Sequence, residues 1–168
     1  MIKKISCNVL KCICLILLTI SCSDEEDNPE INSGLNLNQS QILNLVNEAR
    51  ASGVRCGNSN KPSVDQLNWN DAMAKAALDH SNDMETNDYF SHTGLDGSKF
   101  DERAKDAGYT GNPVGENIAI GYSSEEAVMN GWLKSTGHCN NIMNERATEI
   151  GIARSDDGRY WTMVLGTE

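Results

Sequence analysis

The chain predicts an α+β fold, helices packed on a small, mainly antiparallel sheet, on three grounds. Apolar residues at helical spacing recur in separated stretches, near 40–52, 70–85, 98–107 and 124–133. The clearest alternating pattern is a hairpin at the end of the chain, Thr148 to Arg154 and Tyr160 to Leu165 about an Asp157-Gly158 turn. Strands that arrive as one terminal hairpin plus isolated segments do not follow the strand–helix–strand alternation of a doubly wound sheet. At 168 residues the chain is long enough for one domain with a proper core and too short for two comfortable ones.

Residues 1–21 read as a signal peptide. Lys3, Lys4 and Lys11 make a positive start, and the apolar run from Cys12 to Ile20 is too short to span a bilayer. Thr19-Ile20-Ser21-Cys22 resembles a bacterial lipobox, in which cleavage leaves the cysteine as a lipidated N-terminus. That resemblance implies that Cys22 anchors the protein to a membrane from outside the cytoplasm, as an outer-membrane lipoprotein facing the periplasm or the cell surface. Ordinary secretion with cleavage nearby is the alternative. Residues 22–38 are expected to be the lipidated terminus and a disordered acidic tether, since Ser, Asp, Glu, Asn, Pro and Gly dominate its first part. Its start, Ser23-Asp24-Glu25-Glu26-Asp27, resembles a segment that accompanies surface display in some Gram-negative lipoproteins; a solvated spacer explains the same residues.

The folded domain is expected over 39–168. Ser40 is placed to cap a first helix with Ile42, Leu45, Val46 and Ala49 on one face, ending at Ser52-Gly53. A loop from Arg55 to Pro62 holds Cys56. Asn70 caps a second helix running to about Glu85, with Met73, Ala76, Ala77, His80 and Met84 along one stripe. His80 on that face reads as a core histidine bonded to a backbone carbonyl. Tyr89 to Gly94 is a short aromatic segment breaking into a glycine-rich loop, and a third helix runs from Ser98 to about Ala107, stopped by Gly108. Gly115 to Gly121 reads as a turn entering a short strand. Ser124 caps a fourth helix through Trp132 and Leu133, with Glu125 and Glu126 suited to its dipole. In the hairpin, Ile150 and Ile152 alternate inward, as do Trp161, Met163 and Leu165; Trp132 and Trp161 read as core.

Charge and cysteine count narrow the function. A net charge of −10, with no basic stripe among the 14 Lys and Arg, argues against nucleic acid as a partner. Of six cysteines, Cys7, Cys12 and Cys14 leave with the signal and Cys22 would carry lipid. Cys56 and Cys139 remain as an even pair in an oxidising compartment, which favours a disulfide over two buried thiols. Of three histidines, His92 and His138 lie in glycine-containing, loop-like segments, and Glu116 sits on a turn. Such a set supplies a divalent-metal site or a proton-transfer pair. There is no His-Glu-x-x-His helix, Gly-x-Ser-x-Gly elbow or phosphate loop.

Phe90-Ser91-His92-Thr93, Gly115-Glu116-Asn117-Ile118-Ala119, Gly131-Trp132, Gly137-His138, Asn141-Ile142-Met143, Glu149-Ile150-Gly151 and Tyr160-Trp161-Thr162 closely resemble, in this order, the CAP superfamily. That superfamily groups cysteine-rich secretory proteins, antigen 5 and pathogenesis-related proteins, and the match is to its bacterial branch, over about Ile42 to Gly166. The resemblance implies a three-layer α-β-α sandwich with a cleft lined by two histidines and two acids, able in some members to hold zinc or another divalent cation. His92, Glu116 and His138 fall on three of these positions. The second acid does not carry over: Ser135 stands where it would follow Trp132, and Glu102, before Arg103, is the acid that could reach the cleft instead.

The implied function is an envelope-anchored CAP module that binds a lipid, peptide, wall component or protein through a cleft of His92, Glu102, Glu116 and His138. The alternative is a metal-assisted hydrolase, with His92 and His138 holding the cation, Glu116 as general base, and Ser135 as a further catalytic candidate. No third group is evident to orient a base toward Ser135.

Overall fold

The computed structural model describes residues 34–168 and the backbone of a two-residue strand, β1 (Ile31–Asn32). The expected signal peptide, Cys22 and the first part of the tether lie outside the described residues. The last part of that tether is folded. Leu35 and Leu37 are 9% and 2% exposed, Leu37 within β2 (Leu37–Asn38), because each carries an apolar side chain that the core accepts. The Oδ1 of Asn38 then accepts from the Gln41 amide at 3.0 Å and from the Ser40 hydroxyl at 2.9 Å. Asn38, not Ser40, is therefore the cap of α1 (Gln39–Ser52). The helix stops at Gly53, whose φ of 68° only glycine adopts without strain.

The expected loop around Cys56 is a hairpin, β3 (Val54–Cys56) and β4 (Ser59–Lys61), paired Cys56 to Ser59. Gly57, at φ 59°, opens the two-residue turn, so Gly57-Asn58 was the signal to read. After β5 (Asn68–Trp69), helix α2 (Asp71–Thr86) begins where Asn70 accepts from the Met73 amide at 3.1 Å, and it buries the predicted stripe together with Ala74 and Ser81. Helix α3 (Phe100–Asp106) is shorter than expected at both ends, and β6 (Asn112–Ile120) is longer. Helix α4 (Glu125–Lys134) is capped by Ser124, as predicted. Helix α5 (Thr136–Ile142) was not foreseen, because Gly137, Asn140 and Asn141 are poor helix formers. It forms because tertiary partners fix both its flanks. Cys139 is bonded to Cys56, Cα–Cα 5.4 Å, and Asn141 is anchored on β6.

The main sheet has the order β5-β7-β8-β6, with β7 (Glu149–Arg154) and β8 (Tyr160–Thr167) forming the predicted hairpin. The pairs β7–β8 and β6–β8 are antiparallel; only the two-residue β5 runs parallel to β7, too short to leave a period in the sequence. Helices α2 and α3 cover one face, and α5 and α4, backed by α1, the other. This is the three-layer α-β-α sandwich. Ile150 pairs with Leu165 and Ile152 with Met163, so the residues expected to point inward do share one face. The opposite face, Gly151, Ala153, Thr162, Val164 and Gly166, is also buried. Its small residues let α2 approach closely: a Cβ on Gly151 would lie 2.1 Å from the Ala74 amide nitrogen.

A fully buried Arg50 ties the outer layer down. Its guanidinium donates to the carbonyls of Asp65 (2.6 Å), Ile142 (2.6 Å), Asn144 (3.0 Å) and Ala147 (3.2 Å), joining α1 to the chain leaving α5. The disulfide reinforces the same region across a sequence separation of 83. Replacing both cysteines by serine should therefore lower the unfolding free energy by about 4 kcal/mol through the freed unfolded chain. Urea denaturation of the double variant beside the oxidised parent measures the loss.

Candidate functional site

Strand β6 is a sheet edge, and the site is built along it. Gly115 and Asn117 face α5 while Glu116, between them, faces α3 and the segment that joins α2 to α3. There the buried carboxylate, its side chain 1% exposed, is held at both oxygens. His92 Nδ1 lies 2.8 Å from Oε1 and an Arg103 guanidinium nitrogen 2.6 Å from Oε2. A carboxylate accepts, so Nδ1 carries the proton and Nε2 is the free nitrogen of a ring still 55% exposed. Arg103 also donates to the carbonyls of Ser98 (2.8 Å) and His92 (3.1 Å), fixing the loop that carries the histidine.

The other wall of the cleft is α5. The backbone of His138 accepts from Asn117 Nδ2 at 3.1 Å, and Asn141 Nδ2 reaches both the Glu116 carbonyl (3.0 Å) and Asn117 Oδ1 (2.9 Å). Gly115 has no side chain to spare here, since a Cβ would stand 3.2 Å from Asn141 Cγ. Gly115 thus gives clearance, Glu116 charge, and Asn117 the bonds that dock the helix. His138 lines a cavity of about 280 Å³ with Ser135 and the apolar Ile118, Ile120, Tyr122 and Trp132; Phe90 stands at its rim, 49% exposed. Burial, and then the nearby charge of His92, hold the His138 pKa below its ordinary value.

The structure joins His92 to Glu116 directly, puts His138 and Ser135 in one pocket beside them, and places His138 on a helix rather than the expected loop. It does not bring Glu102 in. Glu102 is exposed, and its carboxylate accepts from the Lys99 amide at 2.9 Å to start α3. The neighbouring Arg103 faces the cleft instead. The missed signal was electrostatic: a buried carboxylate needs a cation or donors, and Arg103 is the nearest base to Glu102 on the helix face turned inward. Ser135 makes no side-chain hydrogen bond to His138 among the described residues. Nor do three His, Cys, Asp or Glu side chains among them converge to hold a metal ion, and both oxygens of Glu116 are already engaged.

The family model of cysteine-rich secretory proteins, CAP, matches residues 43–165. The chain belongs to the CAP family. Relatives of this CAP domain include the Bacillus subtilis membrane protein YlbC, 32% identical over 74% of this chain and 33% of the relative. YkwD of the same organism is 31% identical over 77% of this chain and 47% of its own length. The chain thus spans a third to a half of the relatives it matches. Among solved structures, an extracellular SCP-domain protein of Bacillus anthracis superposes with TM-score 0.67 at 31% identity, over 77% of this chain and 40% of that one. An outer surface protein of Borrelia burgdorferi shares the fold, with TM-score 0.63 at 21% identity over 77% of this chain and 91% of that one.

Because the charge of His92 is the second cause depressing the His138 pKa, His92→Gln should raise that pKa. It should remain below the ordinary histidine value of about 6.5, since burial persists. An NMR titration of the His138 ring in parent and variant reads the change, and a downward or absent shift would contradict the geometry.

Proposed function

We propose that this protein is an extracytoplasmic, envelope-anchored CAP module that binds a lipid, peptide, wall component or protein along the open edge of β6. The observation that carries this reading is the half-exposed His92, clamped through Glu116 and Arg103, beside an apolar cavity of about 280 Å³ ending in His138 and Ser135. Fixed polar groups at the mouth of an apolar pocket are the composition of a ligand site. Chemistry is less well served. Glu116 already neutralises Arg103 and orients His92, so it is not free to act as base to a metal-bound water.

Export is supported by the Cys56–Cys139 disulfide. The extracellular description of the Bacillus anthracis protein and the membrane description of YlbC agree with it. No helix among the described residues is long and apolar enough to cross a membrane. The lipid anchor on Cys22 is supported by the lipobox-like Thr19-Ile20-Ser21-Cys22. Cys22→Ser should move the protein from the membrane fraction to the soluble one; a variant that stays with the membrane would refute the lipid anchor.

Trp132 lines the cavity and reports its occupation. Its emission should change saturably with one of three probes: wall muropeptides, phospholipid vesicles or an extended peptide library. His92→Gln should keep the fold and weaken that binding about tenfold, the weight of a lost charge-assisted hydrogen bond. Turnover of any probe that disappears on chelation and returns with zinc would instead establish the hydrolase, with His92 and His138 as the metal's holders.

A further inference from the structure

The main chain of β6 narrows what the cleft can hold. The strand pairs with β8 along one side only, so every second residue turns its N–H and C=O away from the sheet. Which residues do so is fixed from both directions. The Gly121 N–H donates to the Arg159 carbonyl at 2.8 Å, on the β8 side. The carbonyls of Glu116 and Ile118 instead accept from helix side chains, Asn141 Nδ2 at 3.0 Å and Trp132 Nε1 at 3.4 Å. Glu116, Ile118 and Ile120 are therefore the outward set. Beyond the Ile118 carbonyl nothing closes the edge. Among the described residues no group bonds to the Ile118 N–H or to either main-chain group of Ile120, and Ile120 is 42% exposed.

The cavity of about 280 Å³ lies along this open stretch and is lined from both faces of the sheet. Ile118 and Ile120 belong to the face that packs Met84, Tyr89 and Tyr160, and Phe90, next to Tyr89 in the chain, lines the cavity with them. Ala119 belongs to the opposite face, in the core with Trp132, and Ser135 and His138 line the cavity on that side. The space thus straddles the strand edge, with a wall on either side of it. No Asp, Glu, Lys or Arg side chain among the described residues lines it, and burial keeps the His138 ring neutral.

We infer that the ligand of this cleft is an extended polypeptide segment, apolar where it meets the cavity, that joins the main sheet as a fifth strand beside Ile118 and Ile120. The inference rests on the reading of the cleft as a ligand site and commits that site to one class. Two donors and an acceptor on an open edge call for a ligand that supplies carbonyls and an N–H at strand spacing, about 6.8 Å for every second residue. A peptide backbone does so. Its side chains then alternate between the two walls, one toward Phe90 and Ile120 and the next toward Trp132 and His138. At about 280 Å³ the cavity lies just under the range of whole small-molecule sites, about 300–1,000 Å³, which suits a ligand that inserts only side chains. An acyl chain would fill the same space and leave the edge groups without partners. Charge complementarity points the same way: an uncharged lining on a chain of net charge −10 opposes anionic headgroups and polymers and accepts a neutral or basic peptide.

The test titrates the intact, oxidised protein with a hexapeptide of alternating leucine and threonine, blocked at both ends, with the same peptide N-methylated at every amide, and with phosphatidylethanolamine–phosphatidylglycerol vesicles and muropeptides. Calorimetry gives the affinities, and NMR-detected hydrogen exchange follows the Ile120 amide. The unmodified peptide should saturate below about 1 mM and slow that exchange. Its N-methylated form, which keeps the side chains and loses the donors, should bind about tenfold more weakly or worse. Ile120→Pro removes an edge N–H that the fold does not use and should weaken the unmodified peptide about tenfold, with the melting temperature checking that the variant is folded. Equal affinity of the two peptides, or an Ile120 amide that exchanges as fast in the complex, overturns the strand pairing and leaves the cleft a ligand site. Saturable binding of vesicles or muropeptides without the peptide has the same meaning. Silence in every arm overturns the inference together with the ligand-site reading on which it rests.

Discussion

The carboxylate of Glu116 is the constraint from which the cleft follows. It sits on an edge strand with almost no contact with water, and a charge so placed must be matched within the protein. Arg103 and His92 match it, and each has to be brought from a different piece of chain. Arg103 comes from α3, whose first turn is fixed by Glu102 and the Lys99 amide. His92 comes from a segment with no helix or strand of its own, and Arg103 grips that segment again at the His92 and Ser98 carbonyls. Removing Arg103 would leave the buried charge of Glu116 without its cation, a loss of about 3–5 kcal/mol where such pairs have been measured in other proteins. The polar cluster is thus part of the fold before it is part of any function.

The other side of β6 is organised by neutral groups. Asn117 and Asn141 hold α5 against the strand, the disulfide holds it to the β3–β4 hairpin, and Arg50 holds the chain that leaves it. These ties replace helix propensity, which α5 lacks. They also explain why a histidine on a seven-residue helix can line a pocket in a fixed orientation. Its main chain has few alternatives.

Much of the fold was legible because local chemistry and tertiary packing agreed. Asn70 and Ser124 cap where a side-chain acceptor precedes a helical stripe, Gly53 ends a helix with a positive φ, and the terminal hairpin shows its period in Ile150, Ile152, Met163 and Leu165. The stripe on α2 even placed His80 on a carbonyl correctly. What could not be read was decided elsewhere in space. Leu35 and Leu37 stand among polar residues that suggest a tether, yet they bury against the core. Ser40 and Asn38 are both good caps, and only the approach of β2 selects Asn38. For the site, His92 with Glu116 was legible as a pair through the family motifs, whereas Arg103 was hidden by the acid beside it. A motif names the residue types. The face of a seven-residue helix, set by its packing on α2 and β6, decides which of two neighbours turns inward.

The segment from Tyr89 to Ser98 shows how this scaffold makes a site without rigid secondary structure. Its geometry is imposed by side chains reaching in from three elements: His80 of α2 at the Ser91 carbonyl, Arg103 of α3 at the His92 and Ser98 carbonyls, and Glu116 of β6 at the His92 ring. Each of these groups is itself buried or largely so, and each is satisfied partly by the loop. The loop is therefore as well determined as the helices that hold it, while its sequence stays free to vary at Thr93 and Leu95, which are exposed. That division, fixed backbone and free outer side chains, suits recognition: the cleft keeps one histidine in a set orientation, and the surface around it can be rewritten without disturbing the buried charge on which the arrangement rests.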